Sequence, residues 1–304
     1  MYEIPARSQE ADLGVREVAD ELLALDPDGS RFSRVFRATF DQLYDGQRTG
    51  RYRLDQLLKT EKSHFGSLIE INLQRELGFE DGHVLDYRIA NHEVDCKYSH
   101  TGAWMLPIES FDQIILVTKA DDMRSTWSAG LVRVSLENRR ISENRDKKTG
   151  LNVNGRNSIL WLHKDAPMQP NALLDLTPGE AEQIMEQSSG QARVNTLFRT
   201  AVNRRLSRNI VATVAQQDDY MKRVRYNGGA RSALQPEGYL ILSGDYARQR
   251  NLAEDLGSVV PNPGEFVSIQ VVPASSDAGV LIDGEWWRLK QSLDRVQVPA
   301  PLVR

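Results

Sequence analysis

The chain has 304 residues, 40% hydrophobic and 26% charged, which fits one large globular domain or two of ordinary size. Its single cysteine, Cys96, excludes an internal disulfide framework and an all-cysteine zinc site, and suits a reducing compartment. Residues 1–20 show no signal-peptide pattern, and no apolar run approaches the roughly 20 residues of a bilayer span, so a cytoplasmic protein with no membrane partner is expected.

Charge is unevenly placed. The net charge is −4, yet residues 191–231 hold nine bases, eight of them arginine plus Lys222, against Asp218 and Asp219. Residues 1–30 hold eight acids against two bases. Arginine outnumbers lysine 29 to 9, and its guanidinium fork matches phosphates and guanine edges. The basic stretch fits an anion-facing surface, and equally a solvated helix face.

In chain order, Phe32, Val35, Phe36, Thr39, Phe40 and Leu43 form one apolar helical stripe between the turns Asp26-Pro27-Asp28-Gly29 and Asp45-Gly46. The pattern predicts a second helix over His64–Leu77, stopped by Gly78. The period then changes to two. His83–Ile89 and Glu93–Ser99 read as strands joined by Ala90-Asn91-His92. The apolar run Ile114-Ile115-Leu116-Val117 reads as a central strand buried on both faces. Ala129–Val134 and Ile159–His163 read as further strands, giving a mixed α/β domain. Residues 164–170, with two prolines and little apolar content, form the candidate linker. The division expected is 1–163, a linker at 164–172, and a helix-led second domain at 173–304.

Phosphodiester hydrolysis needs carboxylates to hold a divalent cation and a cationic group beside the attacked phosphate. Alternation along Glu93–Ser99 puts Asp95 and Lys97 on one face, about 7 Å apart along the strand, and Val94, Cys96 and Tyr98 on the other. The hairpin can bring Asp86 beside Asp95. Glu70 falls on the same helix side as Leu73 and Leu77, so it points toward the sheet. Glu70, Asp86, Asp95 and Lys97 are thus candidate catalytic residues. Glu70, Asp86, Asp95 and the Cys96 carbonyl are candidate ligands for Mg²⁺, which prefers few carboxylates plus water. The same residues also fit a structural Asp–Lys pair on a half-exposed sheet. The other acid-x-lysine triplet, Asp146-Lys147-Lys148, sits in a polar loop.

The series Glu70, Asp86, Asp95-x-Lys97 resembles the PD-(D/E)xK nucleases. Four longer motifs resemble the NaeI-type type IIE restriction endonucleases: Asp41–Arg51, Gly102–Pro107, Gly190–Asn195 and Ala212–Asp219. The likeness covers roughly residues 20 to 245 and is poor over 137–158 and after 245. It implies an N-terminal endonuclease domain with a mixed sheet flanked by helices, and a C-terminal winged-helix, helix-turn-helix domain for an effector duplex. It implies a prokaryotic, Mg²⁺-dependent homodimer that cuts both strands of double-stranded DNA, at GCCGGC with blunt ends. A DNA methyltransferase would be paired with it in function but not bound. The alternatives are a sequence-specific DNA-binding regulator with an inactive nuclease fold, and a DNA strand-passing enzyme that would ligate what it cuts.

On this reading a first DNA-domain helix spans Gln191–Leu206, a helix-turn-helix starts near Arg208, and a wing follows Gly238. Arg208, Lys222, Arg223, Arg225 and Arg231 are candidate DNA contacts in this domain. Gln216 and Gln217 are candidate base readers. In the first domain, the loop Arg139–Lys148, with Arg139, Arg140, Arg145, Lys147 and Lys148, is a candidate DNA-facing clamp, with Arg139 and Arg145 as its candidate contacts.

Overall fold

The computed structural model describes residues 12–141 and 147–303 of the chain. These form two compact units, one from the N-terminal residues to Leu43 with Leu57–Pro170, the other from Tyr44–Gln56 with Asn171 onward.

The first unit opens with α1 (Leu13–Leu25) and α2 (Ser30–Tyr44). Asp26 starts α2 by accepting the N–H groups of Arg31 and Phe32 at 3.1 and 2.9 Å. All six residues of the expected α2 stripe are buried, and Phe32 stacks on Trp127 at 5.6 Å. A one-turn helix, α3 (Gly46–Thr49), belongs to the second unit.

The long helix α4 (Lys59–Leu77) starts five residues before the expected His64, because Glu61 accepts the Leu58 N–H at 2.8 Å and fixes an earlier first turn. Its buried face is Phe65, Ile69, Leu73 and Leu77. Gly78 ends it in the left-handed region, donating to Gln74 O at 2.8 Å.

Six strands form the main sheet: β1 (Glu80–Asp81), β2 (Tyr87–Ile89), β3 (His92–Tyr98), then, after the short β4 (Met105–Leu106), β5 (Ile114–Asp121) and β6 (Thr126–Arg133). β7 (Thr149–Gly150) pairs with β4, α5 (Val153–Asn157) follows, and β8 (Leu160–Pro167) closes the sheet in the order β1-β2-β3-β5-β6-β8. β3 and β5 run parallel and the other neighbours antiparallel. Ala90 and Asn91, both with positive φ, make the tight turn between β2 and β3. β5 is buried almost throughout, as its apolar run predicts. Residues 164–167 of the expected linker belong to β8, with Ala166 and Pro167 paired to β6.

In the second unit α6 (Pro178–Met185) and α7 (Gly190–Thr200) precede β9 (Leu206–Ser207) and α8 (Arg208–Ala215). α7 is shorter than the expected Gln191–Leu206, since Ala201 leaves helical geometry, Asn203 is left-handed, and Leu206–Ser207 pair as strand. α9 (Ala230–Leu234), β10 (Tyr239–Ser243) and α10 (Ala247–Asp255) come next. β11 (Glu265–Pro273), β12 (Val280–Ile282) and β13 (Glu285–Leu289) complete a sheet ordered β10-β11-β13-β12, with β9 also on β11. β10 puts Ile241 into a core with Val194, Phe198, Ile210 and Leu234, and Leu240 and Leu242 into a second core with Val267 and Ile269. α3 packs on α8 so closely that a Cβ on Gly46 would lie 2.1 Å from Thr213 Oγ1. No described helix is long and apolar enough to cross a membrane.

Candidate active site

The site is built on β3 and the loop before β2. Parallel pairing with β5 sets Asp95 opposite Ile115 and Lys97 opposite Val117, inside the sheet and not at its rim. Asp95 is therefore buried, at 3% exposure. Lys97 Nζ bonds Asp95 Oδ1, reaches the Cys96 carbonyl at 3.1 Å and stands 3.8 Å from Asp86 Oδ2. Asp86 Oδ2 accepts the Cys96 N–H at 2.7 Å. The hairpin thus brings Asp86 beside Asp95, and both carboxylates share one ammonium.

The electrostatics follow from this crowding. Burial, reinforced by the adjoining Asp86 carboxyl, pushes Asp95 up to about 7, against the pull of Lys97. Burial opposes the Lys97 charge, but Asp95 and Asp86 outweigh it and raise its pKa. Glu70, half-buried on α4, is also shifted upward, first by burial and then by Asp86, with Lys97 acting the other way. Cys96 is fully buried with its thiol pushed up by burial, so it is no nucleophile.

α4 lies across the β3 face that carries Val94, Cys96 and Tyr98. Phe65 meets Tyr98 at 4.5 Å, and the Tyr87 hydroxyl donates to the Glu70 carbonyl at 2.7 Å. Glu70, on that helix, stands close enough to Asp86 and Lys97 for both charges to act on its carboxyl. Among the described residues no three His, Cys, Asp or Glu side chains gather into a metal cage.

One atom tests whether the site fits a hard cation. Asp95 Oδ2 is buried and has no hydrogen-bond partner among the described residues. A buried carboxylate oxygen without a partner is costly, and a second carboxylate next to it adds repulsion. A divalent cation would relieve both. Mg²⁺, which takes one or two carboxylates and keeps its waters, suits two acids better than a closed cage would. The residues present fit it.

A second feature lies in the same unit. A cavity of about 240 Å³ is lined by Gly102–Met105, Thr149–Leu151 and the cations Arg140, Lys148 and Arg156, with no acid among the described lining residues. Its first wall is the chain leaving β3. Arg156 was not singled out from the sequence, where a lone arginine in a polar stretch carries no signal. Arg139, expected to be a clamp, is folded inward: it donates to Val134 O at 2.7 Å and Asp112 at 3.0 Å and lies over Phe111. Arg145 lies outside the described residues. Trp104, buried, donates to Thr118 O at 2.9 Å.

The basic stretch of the second unit is largely spent on its own fold. Arg193 donates to the carbonyls of Val214 and Ala215 at the end of α8, at 2.6 and 2.9 Å, and to Gln187 O. Arg199 pairs with Glu237 and Arg208 with Asp245, both at 2.6 Å. Lys222 pairs with Asp219, and Arg223 donates to Gln217 at 2.5 Å. Arg231 donates to Ile241 O at 3.0 Å and Gln249 at 3.2 Å, and burial lowers its pKa. Gln216 caps α8 in left-handed geometry. Lys222 and Arg225 remain exposed.

Against known proteins, the family model described as Restriction endonuclease NaeI matches residues 16–298. The curated Type II restriction enzyme NaeI of Lentzea aerocolonigenes is 47% identical over 316 residues, covering 100% of this chain and 98% of that protein. The chain belongs to the NaeI restriction endonuclease family.

Proposed function

We infer that the chain is a type II site-specific deoxyribonuclease that hydrolyses both strands of duplex DNA with Mg²⁺. The observation that carries this reading is the group Asp86, Asp95 and Lys97, with Asp95 Oδ2 buried and without a hydrogen-bond partner among the described residues, beside a second carboxylate. Asp86, Asp95 and the Cys96 carbonyl would hold the cation, with Glu70 reaching it directly or through water. When bound, Mg²⁺ supplies Lewis-acid stabilisation of the phosphate and acidifies a bound water. Lys97, tied to both acids, orients the attacking water and offsets the negative charge that builds on the phosphate. The basic cavity beside the exit of β3 would hold backbone phosphates of the substrate.

For the second unit we infer binding of a separate, effector duplex. The order helix, strand, helix, helix, strand, strand over α7, β9, α8, α9, β10 and β11 supports a winged-helix arrangement, with α10 inserted before the last strand. Lys222 and Arg225 are the candidate phosphate contacts there. We take the type IIE behaviour, a homodimer matching a palindrome, and the target GCCGGC with blunt ends as parts of the same proposal. No bound methyltransferase is required by it.

The test is incubation of plasmid and genomic DNA with the purified chain, with and without Mg²⁺, followed by sequencing of fragment ends. Discrete, chelator-sensitive fragments ending at one palindrome are expected. A retarded but uncut plasmid would favour a regulator with an inactive nuclease fold. Stimulation by a short uncleavable duplex carrying the site tests the effector role.

A further inference from the structure

Glu93 stands on β3 two residues before Asp95, yet its carboxylate touches neither the acids nor the lysine of the site. It takes three consecutive main-chain N–H groups instead. Oε1 accepts from His83 at 2.8 Å, and Oε2 from Val84 at 3.0 Å and Leu85 at 2.9 Å. Successive N–H groups turned to one point make an anion-binding concavity, here filled by the protein's own carboxylate. The next residue is Asp86.

The loop is tight as well as tethered. Gly82 N–H closes it on Asp86 O at 3.4 Å. A Cβ on Gly82 would lie 2.2 Å from Leu85 O and 2.9 Å from Glu93 Oε2. From the far end of the loop Asp86 Oδ2 accepts the Cys96 N–H at 2.7 Å. One strand therefore carries Asp95 and Lys97 and also grips, through Glu93, the loop that delivers the second acid. Loss of that grip leaves three backbone donors to find other partners, and the loop has no strand pairing of its own between His83 and Asp86.

We propose that Glu93 is a positioning residue for DNA cleavage: its carboxylate, seated on the His83, Val84 and Leu85 amides, sets Asp86 beside Asp95. The proposal rests on reading Asp86, Asp95 and Lys97 as the catalytic centre. Supporting carboxylates of this kind typically change activity or metal affinity about 10–100-fold when removed.

The test uses the full chain and three variants, Glu93→Ala, Glu93→Gln and Gly82→Ala. Metal-free amide hydrogen exchange at His83–Leu85 reads the tether. Single-turnover cleavage against Mg²⁺ concentration reads the site, and duplex binding in EDTA with thermal melting reads the fold. Glu93→Ala is expected to speed exchange at those three amides about 10-fold or more, lower the maximal cleavage rate about 10–100-fold and raise the Mg²⁺ needed for half-maximal rate. Duplex binding and melting should stay near wild type. Gly82→Ala should reproduce the pattern from a different residue, and Glu93→Gln, which keeps one acceptor oxygen, should fall between. Wild-type cleavage by Glu93→Ala overturns the proposal, as do unchanged exchange or a loss of duplex binding equal to the loss of cleavage. Should the wild-type chain cut no DNA, the catalytic reading falls first, and the exchange arm alone decides whether the tether exists.

Discussion

Asp86 Oδ2 accepts the main-chain N–H of Cys96 at 2.7 Å, so the loop before β2 is pinned to the middle of β3, between Asp95 and Lys97. The bond holds two carboxylates together where one of them is buried, and Asp95 carries the consequence, with a pKa of about 7. Its folded value is above its unfolded value. Its contribution to stability is therefore full below about pH 4 and lost as pH rises through about 7 in the metal-free protein. Below about pH 7 a cation bound by Asp95 would displace its proton.

The expected outcome is proton-linked Mg²⁺ binding. Apparent affinity should weaken as pH falls from about 8 to 6, approaching tenfold per unit once Asp95 is mostly protonated. Calorimetry in two buffers of different ionisation enthalpy should register close to one proton released at pH 6 and far less at pH 8. Binding without proton release would remove Asp95 from the ligand set.

Asp95→Ala and Lys97→Met should each lower cleavage by at least about 10²-fold, since each removes a group needed where charge develops on the phosphate. Neither should weaken duplex binding measured with Ca²⁺ or EDTA by more than a few fold. Rates from single-turnover assays and affinities from fluorescence anisotropy check the split. A parallel loss of both would mark the pair as structural.

How much of this was legible follows from the range of each signal. The α2 stripe and the apolar β5 run were readable because periodicity reports which face is buried. Asp95-x-Lys97 was readable because alternation puts the two on one face. His83–Asp86 read as strand and are not, because Glu93, eight to ten residues on from His83–Leu85, draws the amides of those three into a loop. Local pattern carries no sign of such a contact. The division of the chain was hidden for a similar reason. Residues 44–56 pack with the second unit through contacts such as Gly46 on Thr213, and Asn171 Nδ2 donates to the Tyr52 carbonyl at 2.8 Å. Counting bases over 191–231 could not show that Arg193, Arg199 and Arg231 spend their donors on carbonyls and acids of the same unit.

That partition separates two kinds of basic residue experimentally. Lys222→Ala and Arg225→Ala should weaken effector-duplex binding across sequences and each lower the slope of log K against log salt by about one. Arg231→Ala should instead destabilise the second unit, since it strands the Ile241 carbonyl and leaves Gln249 Oε1 with the Ser243 N–H alone, at a cost of about 1–3 kcal/mol. Salt titrations and urea melts on the three variants would show whether the effects divide in this way.

The cavity between the exit of β3 and the β4–β7 pair offers the sharpest separation of binding from chemistry. Arg140 and Arg156 line it, and no acid among the described lining residues offsets them. If they hold backbone phosphates of the substrate duplex, they act on ground state and transition state alike, because the phosphates they touch are not the one being cut. Arg140→Ala with Arg156→Ala should therefore raise KM, steeply so as salt increases, and leave kcat within a few fold. The slope of log kcat/KM against log salt should fall by about two relative to wild type, one for each charge removed. Binding of the effector duplex at the second unit should not change. A kcat loss at saturating DNA would place these arginines in the chemistry itself, and an unchanged salt slope would leave the cavity without a DNA role.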